Sequence, residues 1–179
     1  MKVLIFDSDA ATQELFSKRL KDCEPVFFNN SLTNADLAAH ADARVVSLFV
    51  TSGFTAEQMG MLPDLACIVA RSSGVDHIDL AHARARGIVV CNVPRYGQHT
   101  VAEFAFALIL ALSRKLPQAN NRVRFEGAFG VGELEGFDLF GKTIGIIGTG
   151  AIGASVVSIA RGFGMRVLMY DPKPRSELI

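Results

Sequence analysis

The sequence predicts an α/β protein: a doubly wound domain over residues 1–98, followed over 99–179 by a long helix and the opening of a second α/β domain. Three observations predict it. Short apolar runs recur that are continuous rather than alternating, the mark of strands covered on both faces as in parallel sheets. Helix-spaced stretches lie between them, giving the β-α-β alternation of a doubly wound sheet. Near the end, a glycine-rich turn at 148–153 joins an apolar strand to a helix.

The expected strands of the first domain are KVLIF (2–6), PVFF (25–28), VVSLFV (45–50), ACIVA (66–70) and IVVC (88–91). ATQELFSKRLKD and HIDLAHARARG have helical spacing, and the second ends at Gly87, which can adopt the left-handed cap conformation. From Thr100 to about Phe125 a longer helix is expected, with Val101, Phe104, Ala105, Leu108, Leu112 and Leu116 on or near one face. This apolar helix is expected to be buried. Pro117 falls inside the pattern and is expected to kink or interrupt it. FEGAFGVGELEGFDLFG, with five glycines, reads as an irregular arm. The last block reads as strand 143–147, helix 151–163 and strand 166–170, with no internal repeat or low-complexity segment in the chain.

Composition narrows the function. Eighteen basic residues balance eighteen acidic ones, so no charge excess advertises nucleic acid or an anionic membrane as partner. Cys23, Cys67 and Cys91 are odd in number and widely spaced beside apolar residues, which argues for buried free thiols rather than disulfides or a metal knuckle. No metal ligand set is expected, and Met59, Met61, Met165 and Met169 read as packing residues. The apolar run after Met1 is too short for a secretory leader. VAEFAFALILALSRKL, interrupted by Glu103, falls short of the roughly 20 apolar residues of a membrane span. The expected compartment is the cytoplasm.

Gly148, Gly150 and Gly153 form G-x-G-x-x-G, a weak signal alone. Here TIGII precedes it, AIGASVVSIARGFG follows, MRVLMY supplies a second strand, and Asp171 ends that strand 18 residues beyond Gly153. All parts of a dinucleotide-binding βαβ unit are therefore present. Gly148 permits the tight turn, Gly150 lets the backbone approach a pyrophosphate, and Gly153 allows helix to pack closely on strand. The helix N-terminus offers free N–H groups and a positive dipole end to the phosphates. Asp171 can accept hydrogen bonds from ribose hydroxyls and repel a 2′-phosphate, favouring NAD, while Lys173 and Arg175 leave NADP open.

On the other side, the loop after strand 66–70 is built of small residues. Backbone N–H groups at Ser73 and Gly74 can form an anion-binding nest for a carboxylate; the alternative is a plain turn before a helix. Tyr96 can face a cleft, or pack its ring at the crossing between domains. His77 lies close enough to the loop to be an acid in principle, but an exposed histidine in the first turn of a helix is the simpler reading.

ARSSGVDHIDLAHARARGIVVCNVPRYGQHTVAEFAFALILALSRK, RVRFEGAF, LEGFDLFGKTIGIIGTGAIG and GFGMRVLMYDPKP together resemble the D-isomer-specific 2-hydroxyacid dehydrogenases, and within them the D-lactate dehydrogenase branch. The resemblance covers most of residues 45–175; residues 1–44 match only in pattern. It implies a flavodoxin-like substrate domain over 1–98. Over 99–179 it implies the connecting helix, a dimerisation arm and the first βαβ unit of a partial, truncated Rossmann NAD-binding domain. It further implies reduction of a 2-keto acid to a D-2-hydroxy acid by NADH, or the reverse. Ser73 and Gly74 would then hold the substrate carboxylate and Tyr96 would line the substrate pocket. Gly148, Thr149, Gly150, Ala151, Ile152 and Gly153 would cover the pyrophosphate, Thr100 would touch the cofactor and Asp171 would select NAD. The helix from 100 to 125 and the arm to about 140 would build a homodimer.

Two departures bear on the substrate. The lactate-type segment VPxYSP becomes YGQ at Tyr96, Gly97 and Gln98, and the usual aromatic after the loop glycine is Val75. The family's catalytic arginine, glutamate and acid–base histidine lie downstream of the second Rossmann strand, so none is assigned to a residue here. The expectation is therefore an N-terminal part that is inactive alone, binds NADH weakly or not at all, and pairs with a missing C-terminal half. The alternative is a short non-catalytic protein that dimerises with itself or with a full-length relative.

Overall fold

The computed structural model describes residues 1–130 and 132–173, which divide into two compact units, Met1–Pro94 and the chain from Arg95 onward. Arg175, one of the two residues that left NADP open, lies outside the described residues.

The first unit is a five-stranded, fully parallel sheet. Its strands are β1 (Lys2–Ile5), β2 (Glu24–Phe27), β3 (Val45–Leu48), β4 (Cys67–Ala70) and β5 (Val89–Cys91), in spatial order β2-β1-β3-β4-β5. This is the flavodoxin-like order, in which the sequence of strands reverses between β1 and β3. Each crossover carries a helix: α1 (Ala10–Arg19), α2 (Asn34–Ala39), α3 (Ala56–Gly60) and α4 (Leu80–Ala85). The main core lies on one face of the sheet, where Leu4, Val46, Leu48 and Ile68 are fully buried with Leu37, Met59 and Leu62 from α2, α3 and the turn after it. Phe6, at the end of β1, is fully buried and stacks on Phe28 with ring centroids 4.5 Å apart.

The unit departs from the sequence expectations in three places. The helices α2 and α3 were not anticipated; side-chain caps at Thr33 and Thr55 start them. His77 lies in a turn ahead of α4, half-buried, with its Nε2 lacking a partner among the described residues, rather than exposed in the first helical turn. The cysteines are free, as expected, but none is buried: Cys91 is exposed on edge strand β5, and Cys23 and Cys67 are half-buried. Partial burial pushes the Cys67 thiol upward, and the neighbouring Cys91 adds to the shift.

The second unit begins with α5 (Gln98–Ser113) and α6 (Leu116–Phe125). The break falls at Arg114 and Lys115, the latter in the left-handed conformation at φ 50°. Pro117 does not itself make the break. It sits in the first turn of α6, where its missing N–H had no intrahelical acceptor to lose. A short 3₁₀ turn at Gly132–Leu134 follows, then β6 (Thr143–Ile147), α7 (Ala151–Gly162) and β7 (Arg166–Tyr170), with β6 and β7 parallel.

The face of α5 that packs inward differs from the expected one. Ala102 and Phe106 are its buried apolar positions, and Phe106 stacks on Phe163 at 5.3 Å. Phe104 and Leu112, on the expected stripe, are 64% and 72% exposed. The helix is apolar nearly all round, so periodicity could not say which side meets α7. Among the described residues, no helix is long and apolar enough to cross a membrane.

Candidate functional site

The glycine turn is shaped as its sequence requires. Gly148 leaves β6 at φ 92°, a conformation that glycine adopts without a Cβ penalty, and its N–H donates to Tyr170 O at 2.8 Å. Gly153 is the contact glycine: a Cβ there would meet the Gly148 carbonyl oxygen at 2.1 Å. At Gly150 a Cβ would meet nothing within 4 Å, so the space above the turn is open. Gly150 is also the N-cap of α7 and makes no side-chain capping bond. The first-turn N–H groups of α7 are thus left without intrahelical acceptors at the positive end of the helix. A cleft of about 490 Å³ runs beside the turn, lined by Ile147, Gly148, Gly150, Ala151 and Ile152 among others.

Asp171 closes the turn from below. One of its carboxylate oxygens accepts from the Thr149 N–H at 2.6 Å and the Thr149 hydroxyl at 3.2 Å; the other accepts from the Lys173 N–H at 2.8 Å. The Lys173 and Thr149 main-chain donors hold this carboxyl below its ordinary value of 3.8. The tie to the turn is therefore fully present above that ordinary value and is lost only as pH falls through the depressed one. Three bonds occupy most of the roughly four acceptor sites of a carboxylate, leaving room for about one further donor. The sequence points to Thr149 and Asp171 as separate candidates, and the bond between them is seen only in the structure.

Thr100 is exposed in the first turn of α5, and its neighbours Gln98 and His99 share a cavity of about 440 Å³ with Ala151 at the start of α7. Tyr96 is exposed, just ahead of α5.

In the first unit, Ser73 and Gly74 lie in the loop after β4, at the carboxyl end of the sheet where ligands of doubly wound folds bind. The loop is tied down through its carbonyls. Ser72 O accepts from the Val93 N–H at 2.9 Å, Ser73 O from Asn92 Nδ2 at 2.7 Å, and Gly74 O from the Ser72 hydroxyl at 2.7 Å. The Ser73 hydroxyl donates to Val93 O at 3.1 Å. The N–H groups of Ser73 and Gly74 donate to no acceptor among the described residues. With the carbonyls of residues 72–74 paired and both amides free, the main chain of the loop presents donors, as in an anion-binding nest, with the Asp76 carboxylate beside Gly74.

The sequence missed the polar network below this loop. Asp7, at φ 50°, accepts with its carboxylate from the Ser52 hydroxyl at 2.6 Å, the Thr51 hydroxyl at 2.8 Å, the Ser31 hydroxyl at 2.9 Å and the Phe49 N–H at 3.1 Å. Burial alone would raise its pKa, but these four donors outweigh burial and bring it below the ordinary value. Arg71 spans the same edge of the sheet. No local motif marks these residues; their signal is only that Asp7 and Arg71 each lie within two residues of the end of a strand. Among the described residues, no cluster of three or more His, Cys, Asp or Glu side chains is placed to hold a metal.

A doubly wound parallel unit followed by a strand–glycine turn–helix–strand unit of this geometry defines an α/β protein of the dinucleotide-binding class. Residues 3–164 match the D-isomer specific 2-hydroxyacid dehydrogenase catalytic domain, and the chain belongs to that family. It is 43% identical over 144 residues to D-lactate dehydrogenase kk1H of Curvularia clavata, an alignment covering 79% of this chain and 41% of the relative. To 2-hydroxyacid dehydrogenase homolog 1 of Schizosaccharomyces pombe it is 37% identical over 183 residues, covering 99% of this chain and 55% of the relative. The crystal structure of D-lactate dehydrogenase from Aquifex aeolicus, complexed with NAD and lactic acid, superposes with a TM-score of 0.89 at 33% identity. That superposition covers 98% of this chain and 53% of the other. The chain thus spans about half the length of the relatives it matches.

Proposed function

We propose that this chain supplies the substrate-carboxylate loop and the cofactor pyrophosphate turn of an NAD-dependent D-2-hydroxyacid dehydrogenase of D-lactate type. The observation that carries the reading is the glycine turn: Gly148 at positive φ, Gly153 against the Gly148 backbone, an uncapped helix N-terminus and Asp171 bound to Thr149. In this reading the first-turn N–H groups of α7 receive the pyrophosphate. Asp171 takes one ribose hydroxyl on its remaining acceptor site and disfavours a 2′-phosphate by charge. Bound NADH supplies a hydride. The Ser73 and Gly74 amides orient the 2-keto acid by its carboxylate, fixing which face of the keto carbon is presented. The developing oxyanion requires a cation and a proton donor, roles that the resemblance assigns to none of the residues 1–179.

Saturation-transfer NMR with NADH tests the cofactor site. Binding with a dissociation constant on the order of 1 mM is expected, about −4 kcal/mol. Losing a hydrogen bond to a charged group costs roughly 1.5–3 kcal/mol. Asp171→Ala is therefore expected to weaken NADH about tenfold or more while sparing NADPH. Absence of any NADH signal, or equal weakening of both nucleotides, overturns the assignment.

A second reading is favoured by the apolar side chains left open on α5, α6 and the following arm. Phe125 and Phe140 are each 79% exposed, in addition to Phe104 and Leu112. Such a surface suits self-association, or pairing with a full-length relative, without catalysis. Sedimentation equilibrium is expected to give a dimer mass. A monomer at every concentration, alone and mixed with a full-length relative, removes this reading.

A further inference from the structure

We propose that Arg71 is a positioning residue that holds the Ser73–Gly74 amides in their donor-only arrangement; the inference rests on reading that loop as a carboxylate cradle. Arg71 is the residue directly after β4 and two residues before Ser73. Its side chain turns back over the sheet instead of extending into solvent. Nη2 donates to Phe6 O at 2.6 Å and to Asp7 O at 2.9 Å, and Nη1 to the Ser47 hydroxyl at 3.0 Å. Its main-chain N–H donates to Leu48 O at 2.9 Å. One residue thereby ties the root of the loop to β3 and, across β3, to the end of β1.

The acceptors are themselves immobilised. Phe6 is fully buried and Ser47 nearly so. Asp7 sits at positive φ, a strained state for a non-glycine residue, and its carboxylate is gripped by four donors. The Asp7 carbonyl is thus held toward the guanidinium. Burial lowers the Arg71 pKa, and Asp7 and Asp9 oppose that shift. A guanidinium can serve three acceptors at once because its donors form a rigid planar fork. Lysine can reach some of them, and methionine none. Val93 and Asn92 dock the loop beside Arg71, through Ser72 O and Ser73 O, while its far end is held by the Phe54 N–H bond to His77 O. Loss of Arg71 therefore frees one end of a loop that stays attached at the other, turning the amides without unfolding the sheet.

The test uses the whole chain, isotope-labelled, with pyruvate as probe. In the unaltered protein the Ser73 and Gly74 amide resonances are expected to shift saturably with pyruvate. Arg71→Met is expected to raise the pyruvate dissociation constant at least tenfold at a temperature where its melting curve shows it folded, and Arg71→Lys to recover part of the loss. Amide exchange gives a readout that needs no ligand. In Arg71→Met the Val93 N–H, which docks the loop through Ser72 O, is expected to exchange at least tenfold faster, while the Ile68 N–H inside β4 is unchanged. If Val93 exchange does not change, or if Arg71→Met binds pyruvate like the unaltered chain, the positioning role is overturned. It is also overturned if Val93 and Ile68 accelerate together, since Arg71 then serves only the stability of the unit. If pyruvate moves neither amide in the unaltered protein, the carboxylate reading fails, and Val93 exchange alone then decides whether Arg71 orders the loop.

Discussion

Gly153→Ala destabilises the second unit by about 1–3 kcal/mol or more, the cost of forcing a methyl group into a filled space. The added Cβ would lie 2.1 Å from Gly148 O and 3.0 Å from Gly148 C, both main-chain atoms. Neither can retreat cheaply, because the Gly148 N–H is bonded to Tyr170 O at 2.8 Å and the residue is held at φ 92° between β6 and α7. The same substitution at Gly150 meets open space and leaves the unit folded, at the smaller cost of exchanging a glycine N-cap for alanine, about 1 kcal/mol or less. The pair separates two kinds of glycine requirement. Urea denaturation followed by far-ultraviolet circular dichroism reads the first. For Gly150→Ala, a near-normal denaturation curve with weakened NADH binding shows that its missing side chain serves the ligand. Equal stability of Gly153→Ala and the unaltered chain would contradict the packing described for this turn.

Phe6→Ala destabilises the first unit by about 3–5 kcal/mol, the range for truncating a fully buried aromatic residue. Against a typical stability of roughly 5–15 kcal/mol, that consumes a large fraction of what a domain has. Phe6 is fully buried, stacks on Phe28 at an interplanar angle of 10°, and its carbonyl accepts from Arg71. Truncation therefore opens a cavity under the loop-bearing edge of the sheet. The denaturation midpoint of the first unit is the measurement; a change below 1 kcal/mol would mean that the site collapses onto Phe28 at little cost.

Much of this architecture was legible because long-range order leaves local traces. Continuous apolar runs located every strand to within one or two residues, since strands covered on both faces cannot alternate. The glycine turn was legible from its flanks: TIGII before, a helix after, and Asp171 at the end of the next strand. The helices α2 and α3, six and five residues long, carry no hydrophobic period, whereas α4, also six, is legible because Gly87 marks its end. Their signal lay in Thr33 with Asp36 and Thr55 with Gln58, the latter pair forming a complete capping box. The inward face of α5 was misread because Phe106 and Phe104 are equally apolar, and only α7 decides between them. The Arg71–Asp7 network was illegible for a different reason. Its partners lie 64 residues apart, and each alone is an ordinary charged residue after a strand.

The donor-presenting loop has one further consequence. Its chemistry resides in the main chain, so an alanine scan through residues 72–75 would delete hydroxyls and a methyl-bearing side chain yet leave both N–H groups in place. Proline is the substitution that removes an amide proton, and only there would the scan register the donors themselves. A surface of this kind is also blind to everything in an acid except its carboxylate. On the proposed reading, the same loop serves a short or a long 2-keto acid, and discrimination between tails is left to side chains elsewhere, free to diverge without disturbing the common anchor.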